Sequence, residues 1–163
     1  MKGALVNSYT LSSLTIAQIP AAVALDQCCL GGIWTEDGYL REIESPNSDL
    51  LVLTTPENPE LLGLGCLWSI LDEAHITLLM VHPDYRGQGL GSQLLGALLH
   101  AARKRGLAWA TLEVGVTNTA AIALYQKFGF QTIGTRKGYY QTGEDALILW
   151  RKGLQAEDFQ LIP

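Results

Sequence analysis

Residues 81–92 read VHPDYRGQGLGS, and they stand between an apolar run that predicts a strand and an amphipathic run that predicts a helix. Gly87, Gly89 and Gly91 crowd the start of that helix, where glycine is a poor helix former unless a ligand must approach the backbone closely. The free N–H groups at a helix N-terminus attract anions, and Arg86 adds a permanent cation beside them. The stretch therefore predicts a strand–loop–helix unit whose loop binds a phosphate group.

The loop differs from two common phosphate loops. It lacks the Gly-Lys-Ser/Thr ending of nucleoside triphosphatases, and residues 87–91 (GQGLG) do not have the G-x-G-x-x-G spacing of dinucleotide-binding proteins. A glycine-rich turn that binds no ligand is the alternative interpretation at this point.

Periodicity places strands and helices on both sides of this loop. Leu90, Leu94 and Leu98 recur at helical spacing, and Gly106 follows the cations that end that helix. The mixture predicts an α+β domain in which helices cover both faces of a mixed sheet. The predicted helices are 18–29, a short helix capped by Thr35, 90–105, and a helix from Asn118 to Phe128; the predicted strands are 49–54, 62–70, 74–81, 108–116, 131–136 and 146–150, with a turn at 56–59.

Composition indicates one globular domain. The chain has 163 residues, of which 48% are hydrophobic and 17% are charged. Its net charge is −5 and its densest basic stretch is only residues 103–105, which argues against nucleic-acid binding and suits a cationic partner such as a basic protein tail. Cys28, Cys29 and Cys66 are odd in number and lack metal-ligand spacing, so we expect buried, reduced thiols and no metal site.

Neither a secretion signal nor a membrane anchor is expected from the apolar stretches of the sequence. Its first residues, MKGALV, meet Asn7 and Ser8 too early for a signal-peptide core. The longest apolar stretch, residues 61–71, is too short to span a bilayer and is interrupted by glycines. We therefore expect a soluble, cytoplasmic protein with no membrane partner.

A second informative stretch is residues 112–130, LEVGVTNTAAIALYQKFGF. Glu113 lies within an apolar strand, where a carboxylate is costly unless it faces a cleft or has a partner. Asn118 and Tyr125 are seven residues apart, which places them on one face of the predicted helix. If Glu113 lies beside Tyr125 in the fold, the pair offers a proton acceptor and a proton donor around one reacting centre.

Both stretches resemble the GNAT family of N-acetyltransferases. Arg86-x-x-Gly89-x-Gly91 matches that family's Q/R-x-x-G-x-G/A motif, and its N-x-x-A-x-x-L-Y-x-x-x-G-F feature is found in residues 118–130. The resemblance covers roughly residues 12–150. It implies the GNAT fold, an α+β architecture with a mixed, mostly antiparallel sheet of about six to seven strands flanked by about four helices. We expect residues 1–152 to form this single domain and residues 153–163 to form a C-terminal tail.

The resemblance also implies the coenzyme and the residues that bind it. In this family the loop holds the pyrophosphate of acetyl-CoA, the preceding strand pairs through its backbone with the pantetheine arm, and no metal takes part. The backbone N–H of Val81 is implied as the donor to the thioester oxygen. The implied acetyl-CoA-binding residues are Leu79, Met80, Val81, Arg86, Gly87, Gln88, Gly89, Leu90, Gly91, Ser92, Asn118 and Ala121.

Within the family, LEVxxxNxxAIxLY is similar to the RimI type, which acetylates the N-terminal alanine of a small-subunit ribosomal protein. Residues 71–74 (LDEA) and 139–146 (YYQTGEDA) strengthen that likeness. It implies a protein N-terminus as the acceptor, Glu113 as the general base and Tyr125 as the general acid. The implied acceptor-binding residues are Trp34, Tyr139 and Tyr140.

The chemistry suits such an acceptor. An α-amine has a pKa of about 7.7–8.0 against about 10.4 for lysine, so a single carboxylate is an adequate base for it. No cysteine is paired with a histidine in a nucleophile setting, which favours direct attack in a ternary complex over an acetyl-enzyme.

Each assigned residue also has an interpretation without function. Glu113 could be a solvated edge-strand carboxylate, and Tyr125 a packing residue or one that only orients the thioester. Trp34 could pack in the interior, and Tyr139 and Tyr140 could be exposed on a hairpin. His82 fits a turn residue, whereas His75 and His100 fit structural or exposed positions.

Two alternative functions stay open from the sequence alone. The same fold could acetylate a small-molecule amine, or it could bind acetyl-CoA without catalysis. A protein that binds acetyl-CoA without catalysis has no need of both Glu113 and Tyr125, so the presence of both argues for an enzyme.

Overall fold

The computed structural model describes residues 8–160. Residues 1–7, where we predict no signal-peptide core, and residues 161–163 of the predicted tail lie outside the described residues. The strands are β1 (Thr10–Ser13), β2 (Ser48–Thr55), β3 (Asn58–Ile70), β4 (Glu73–Val81), β5 (Trp109–Gly115), β6 (Gln131–Arg136) and β7 (Ala146–Arg151); the helices are α1 (Ile19–Leu30), α2 (Glu36–Glu44), α3 (Leu90–Lys104) and α4 (Thr119–Lys127).

The strands form one sheet in the order β1-β2-β3-β4-β5-β7-β6. Every neighbouring pair is antiparallel except β4 and β5, which run parallel. The predicted mixed, mostly antiparallel sheet with four helices is confirmed.

The parallel pair β4–β5 is joined only at one end. Its ladder holds three residue pairs, from Glu73 opposite Trp109 to His75 opposite Thr111. Beyond His75 no described residue of β4 pairs with β5, so the two strands part and leave an opening in the middle of the sheet. Backbone groups along this part of β4 face the opening, where an extended ligand can pair with them.

Helices cover both faces of the sheet, as predicted. On one face α3 and α4 pack on β4, β5 and β7 through residues such as Leu98, Tyr125 and Leu112. On the other face α1 and α2 pack on β2, β3 and β4 through residues such as Leu25 and Tyr39. The opening between β4 and β5 therefore lies between two packed layers.

One extra residue in β4 changes the face to which its side chains point. Leu67 of β3 pairs with Ile76 and the preceding Cys66 pairs with Leu78, so Thr77 is a β-bulge. Ile76 is buried beneath α3 and α4, whereas Leu78 is buried beneath α1 and α2. Simple alternation along the sequence would have placed both on the same face.

Two glycines of β3 allow α3 to pack directly on the sheet. A Cβ atom at Gly63 would lie 2.7 Å from Leu94 Cδ1, and one at Gly65 would lie 2.8 Å from Leu98 Cδ1. In the sequence these glycines are only interruptions of an apolar stretch; in the fold they set the distance between α3 and β3.

The ends of some elements differ from the predictions. β1 was not predicted, because all four of its residues are exposed and the strand therefore shows no alternation of apolar and polar residues. β3 begins at Asn58 rather than 62, because Asn58 pairs with Thr55, and the predicted turn narrows to residues 56–57. Residues 153–160 pack on α3, with Leu154 fully buried.

Residues 154–159 are tied to α3 and β7 by charged groups. Arg103 Nη1 donates to the carbonyl oxygens of Leu154 and Ala156 at 2.5 and 3.0 Å. The Phe159 ring lies under the guanidinium groups of Arg103 and Arg151, at 5.0 and 4.9 Å.

None of the helices in the described range combines the length and apolar character that a bilayer crossing requires.

Candidate active site

The glycine-rich loop has the shape of an anion-binding loop. Gly87 and Gly89 both have φ of +79°, in the left-handed region, and Gly89 is the N-cap of α3. A Cβ atom added at either glycine would have no neighbour within 4 Å, so the space above the loop is open. The unpaired N–H groups of the first turn of α3 adjoin this space.

The loop is held at the end of β4 by contacts to one carbonyl group. Arg86 Nε donates to the oxygen of Val81 at 3.0 Å, and Cys29 Sγ donates to the same oxygen at 3.4 Å. His82 accepts from the N–H of Asp84 at 3.1 Å, which confirms its interpretation as a turn residue. The guanidinium group of Arg86 is thereby fixed beside the loop.

A cleft of about 460 Å³ runs from this loop to α4, and we call it the loop cleft. Cys29, Tyr85 and Leu124 are also part of its wall, although they are not among the predicted acetyl-CoA-binding residues. Cys29 is half-buried there and Cys28 is exposed, so of the three cysteines expected to be buried only Cys66 is. Of the predicted acetyl-CoA-binding residues, Gln88 and Ser92 are not in the wall; those that line it are Leu79, Met80, Val81, Arg86, Gly87, Gly89, Leu90, Gly91, Asn118 and Ala121.

A second cleft of about 200 Å³ continues from the first, and we call it the carboxylate cleft. The two share part of their walls, including Tyr125. Glu113, Tyr140 and Ile33 line only the carboxylate cleft. The structure therefore brings Glu113 and Tyr125 to one continuous opening.

Glu113 is a paired, largely buried carboxylate. It lies on β5, an inner strand, with 14% of its side chain exposed, so it is not a solvated edge residue. Its Oε2 atom is 2.8 Å from Nε2 of His75, and its Oε1 atom is 3.7 Å from Nε of Arg136. Sequence reasoning missed both partners, because His75 and Arg136 are distant along the chain.

Tyr125 is both a packing residue and a wall residue. It is 7% exposed, and its ring meets the edge of Phe130 at 5.7 Å. Burial, and then the nearby Tyr140, raise the pKa of the Tyr125 hydroxyl. The hydroxyl therefore stays protonated at neutral pH and can donate a proton into the cleft.

Asn118 begins the helix that carries Tyr125. Its side chain accepts from the N–H of Ala121 at 3.2 Å, which confirms the predicted cap. Because α4 starts in the wall of both clefts, the cap also fixes the direction in which Tyr125 enters the opening.

Tyr139 and Tyr140 have different surroundings. Tyr140 is partly buried in the carboxylate cleft, and burial followed by Tyr139 and Glu113 raises its pKa. Tyr139 is 50% exposed, and Arg136 lies over its ring at 5.9 Å. The loop that carries them is tied to the β5–α4 connection, since Glu144 Oε1 accepts from the N–H of Thr117 at 2.9 Å.

Trp34 stands behind the carboxylate cleft rather than in its wall. Its ring stacks on Trp68 at 6.4 Å, while its neighbour Ile33 lines the cleft. Asp26, which is fully buried, accepts from the backbone N–H groups of Ile33 and Trp34 at 2.9 Å and from the Tyr39 hydroxyl at 3.1 Å. Asp26 therefore holds this loop in place, a role that no pattern in the sequence indicates.

Known proteins share both the sequence and the fold. Residues 19–130 match the sequence model of the Acetyltransferase (GNAT) family. A protein of Bacillus subtilis (strain 168) is 40% identical over 119 residues, which are 72% of this chain and 78% of the relative. The ribosomal protein bS18-alanine N-acetyltransferase of Escherichia coli (strain K12) is 36% identical over 143 residues, which are 86% of this chain and 95% of the relative.

Solved structures agree with the sequence relatives. The crystal structure of the ribosomal-protein-S18-alanine N-acetyltransferase from Escherichia coli has a TM-score of 0.80 and 34% identity, and the match covers 94% of this chain and 99% of that one. Ard1 from Thermoplasma volcanium has a TM-score of 0.80 and 27% identity, with coverage of 89% and 97%.

The chain belongs to the GNAT family of acetyltransferases. The open space above Gly87 and Gly89, at the N-terminus of a helix, fits the pyrophosphate of the coenzyme that this family uses. The protein is an acetyl-CoA-dependent N-acetyltransferase, and the expectation of an enzyme of this class is confirmed.

Proposed function

We propose that this enzyme acetylates the free α-amine of a protein N-terminus, and that its acceptor is the N-terminal alanine of a small-subunit ribosomal protein. The observation that carries the proposal is the position of Glu113, a carboxylate in the wall of a cleft that opens onto the loop cleft at Tyr125. The likeness to the Escherichia coli enzyme, named for the alanine of ribosomal protein bS18, supports the choice of acceptor. A ribosomal acceptor also supports a cytoplasmic location.

The loop cleft would hold the coenzyme, which supplies an acetyl group activated as a thioester. Arg86 and the N–H groups from Gly87 to Ser92 bind its pyrophosphate, because together they offer a cation and a helix N-terminus. The backbone of residues 79–81 pairs with its arm, since β4 has no strand partner on the β5 side there. The Val81 oxygen already accepts from Arg86 and Cys29, so at Val81 the N–H is the group that pairs. In this assignment the N–H of Val81 donates to the thioester oxygen.

Glu113 is the base of the reaction. An acceptor ammonium must lose a proton before its nitrogen can attack a carbonyl carbon. About a third of α-amines are neutral near pH 7.5, so the base has to deprotonate only the remaining fraction of the acceptor. The partly buried carboxylate of Glu113, held between His75 and Arg136, takes this proton at the end of the carboxylate cleft.

Tyr125 is the acid. Its hydroxyl gives a proton to the leaving sulfur. Burial raises the pKa of this hydroxyl, so it is protonated at neutral pH. A thiol has a pKa of about 8.5, so the thiolate is already a fair leaving group and the help required is limited.

Transfer is direct, from coenzyme to acceptor in one ternary complex. The two clefts meet, so both substrates reach the same point without an intermediate carrier on the protein. Cys29 lies in the wall of the loop cleft, but burial raises its pKa and opposes the thiolate that a nucleophile requires.

A peptide panel tests the acceptor. Peptides with a free N-terminal alanine should be acetylated at the α-amine, and basic residues after the alanine should suit an acidic enzyme. Peptides that are blocked at the N-terminus and carry internal lysines should react poorly, because few lysine amines are neutral. Mass spectrometry locates the acetyl group; efficient acetylation of the blocked peptides, or of small amines alone, would contradict the proposal.

A further inference from the structure

His75 is the closest partner of Glu113. Its Nε2 atom is 2.8 Å from Oε2 of Glu113, across the boundary between β4 and β5. His75 is the last residue of β4 that pairs with β5, opposite Thr111, and Glu113 follows Thr111 by two residues on the same face. The contact therefore stands where the sheet begins to open.

The imidazole ring is itself held from behind. It meets Trp68 edge-on at 6.0 Å, and Trp68 stacks on Trp34. The indole Nε1 of Trp68 donates to Glu42 at 2.8 Å, which fixes the ring that supports His75. A histidine supported in this way has little freedom to turn away from its partner.

The second partner of Glu113 is much less constrained. Within residues 8–160 its ion pairs are those with His75 and Arg136. Arg136 belongs to β6, at the edge of the sheet, and 56% of its side chain is exposed, whereas 23% of the His75 side chain is. His75 is therefore the partner that can fix the position of the carboxylate.

We propose that His75 is a positioning residue for acetyl transfer. Its Nε2–H donates to Oε2 of Glu113 and leaves Oε1 as the oxygen that takes the proton of the acceptor amine. The proposal rests on the proposed role of Glu113 as the base. A glutamate side chain loses considerable rotamer freedom when it is fixed, and a misplacement of about 1 Å can cost on the order of 10²-fold in rate.

Two substitutions separate this role from simple packing. His75→Leu removes the donor, whereas His75→Gln keeps an N–H close to the position of Nε2. We expect His75→Leu to lower kcat about tenfold to a hundredfold while the Kd for acetyl-CoA, from calorimetry, stays unchanged. We expect His75→Gln to recover most of the lost kcat. A glutamine variant as slow as the leucine variant would overturn the proposal.

The control is the same change at a histidine outside both clefts. His100 is exposed on α3, and His100→Leu should leave kcat and both substrate affinities unchanged. Should His75→Leu fail to fold, His75→Asn replaces it, because an asparagine amide is too short to reach the position of Nε2. Equal kcat for the asparagine and glutamine variants would then overturn the proposal.

A double variant shows whether His75 acts through Glu113. In the Glu113→Gln background, His75→Leu should lower kcat little further, because the positioned group is already gone. Losses that multiply would overturn the proposal while leaving Glu113 as the base. If Glu113→Gln alone has normal kcat, the assignment of the base fails instead, so the two failures are distinct.

Discussion

Gly89 and Gly106 have nearly the same backbone geometry and stand at opposite ends of α3. Their φ angles are +79° and +78°, and a Cβ atom at either position would have no neighbour within 4 Å. They differ in what lies outside: Gly89 borders the loop cleft, whereas Gly106 is not in the wall of that cleft. A substitution at Gly106 is therefore a matched control for one at Gly89.

Gly89→Val should weaken acetyl-CoA binding by about ten- to a hundredfold, the cost of one or two hydrogen bonds to a charged group. The valine side chain would occupy the space assigned to the pyrophosphate and would strain the left-handed backbone. Gly106→Val should share the loss of stability but keep the affinity. Titration calorimetry on the folded fraction of each variant measures the affinity for acetyl-CoA. Equal affinities for the two variants would show that the loop is not part of the coenzyme site.

Glu113→Gln should lower kcat/KM by roughly 10²–10⁴-fold near neutral pH. The loss should shrink as the pH rises above about 8, because more of the acceptor α-amine is then already neutral. Steady-state rates with one peptide across the pH range provide the measurement. A loss that is constant with pH would indicate that Glu113 orients the acceptor rather than removing its proton.

Tyr125→Phe should lower kcat toward the small end of the acid–base range, about 10²-fold, and leave the Kd for acetyl-CoA nearly unchanged. The contact with Phe130 does not need the hydroxyl, so the packing should survive. Rates are compared per folded molecule, with the folded fraction taken from circular dichroism. Normal turnover in a destabilised variant would leave Tyr125 as a packing residue only.

Stability should fall in alkali. Burial raises the pKa of Tyr39 and Tyr125 above the ordinary value of 10.0. Because the folded state holds these protons more tightly, the stabilisation is complete below pH 10 and is lost as the pH rises beyond it. Urea unfolding at about pH 8 and about pH 11 should show the decrease. Tyr125→Phe should lose less between the two pH values than the unaltered protein, and an equal loss would contradict the assignment.

Asp26→Asn should raise the KM for peptide acceptors without changing the affinity for acetyl-CoA. An amide can satisfy fewer of the three donors that now meet the carboxylate, and leaving one unpaired costs about 1–3 kcal/mol. Ile33 in the wall of the carboxylate cleft would then be held less firmly. Asp72→Asn, at an exposed turn, is the control. If the Asp26→Asn variant is destabilised but its KM for peptides is unchanged, Asp26 contributes to stability and not to acceptor binding.

The parts of the site that the sequence predicted are those whose signal is local. The glycines of residues 87–91 conflict with helix propensity, and Asn118 caps the helix that carries Tyr125, so each is visible within a few neighbouring residues. His75 and Glu113 are 38 residues apart, and their contact depends on a parallel strand pair that no short window of sequence shows.

The sequence did not reveal which residues near the site have a structural role in the interior. Asp26 is polar within an apolar helix, and nothing nearby in the sequence indicates that three donors from the next 13 residues converge on it. Trp34 looked equally suited to packing and to acceptor binding, and only its stacking on Trp68 places it behind the cleft wall. Such contacts follow from tertiary packing, which periodicity does not encode.

The bulge at Thr77 decides where β4 can lose a residue. Deleting Thr77 itself would leave Ile76 and Leu78 opposite their present partners on β3, with every other side chain on its present face. Deleting Leu79 instead would move Met80 to the opposite face of the sheet, although its side chain would still be present. Insertions and deletions are tolerated in surface turns such as residues 56–57, where they displace no core side chain. Within β4, Thr77 is therefore the position at which the strand can lose a residue without moving a core side chain to the other face.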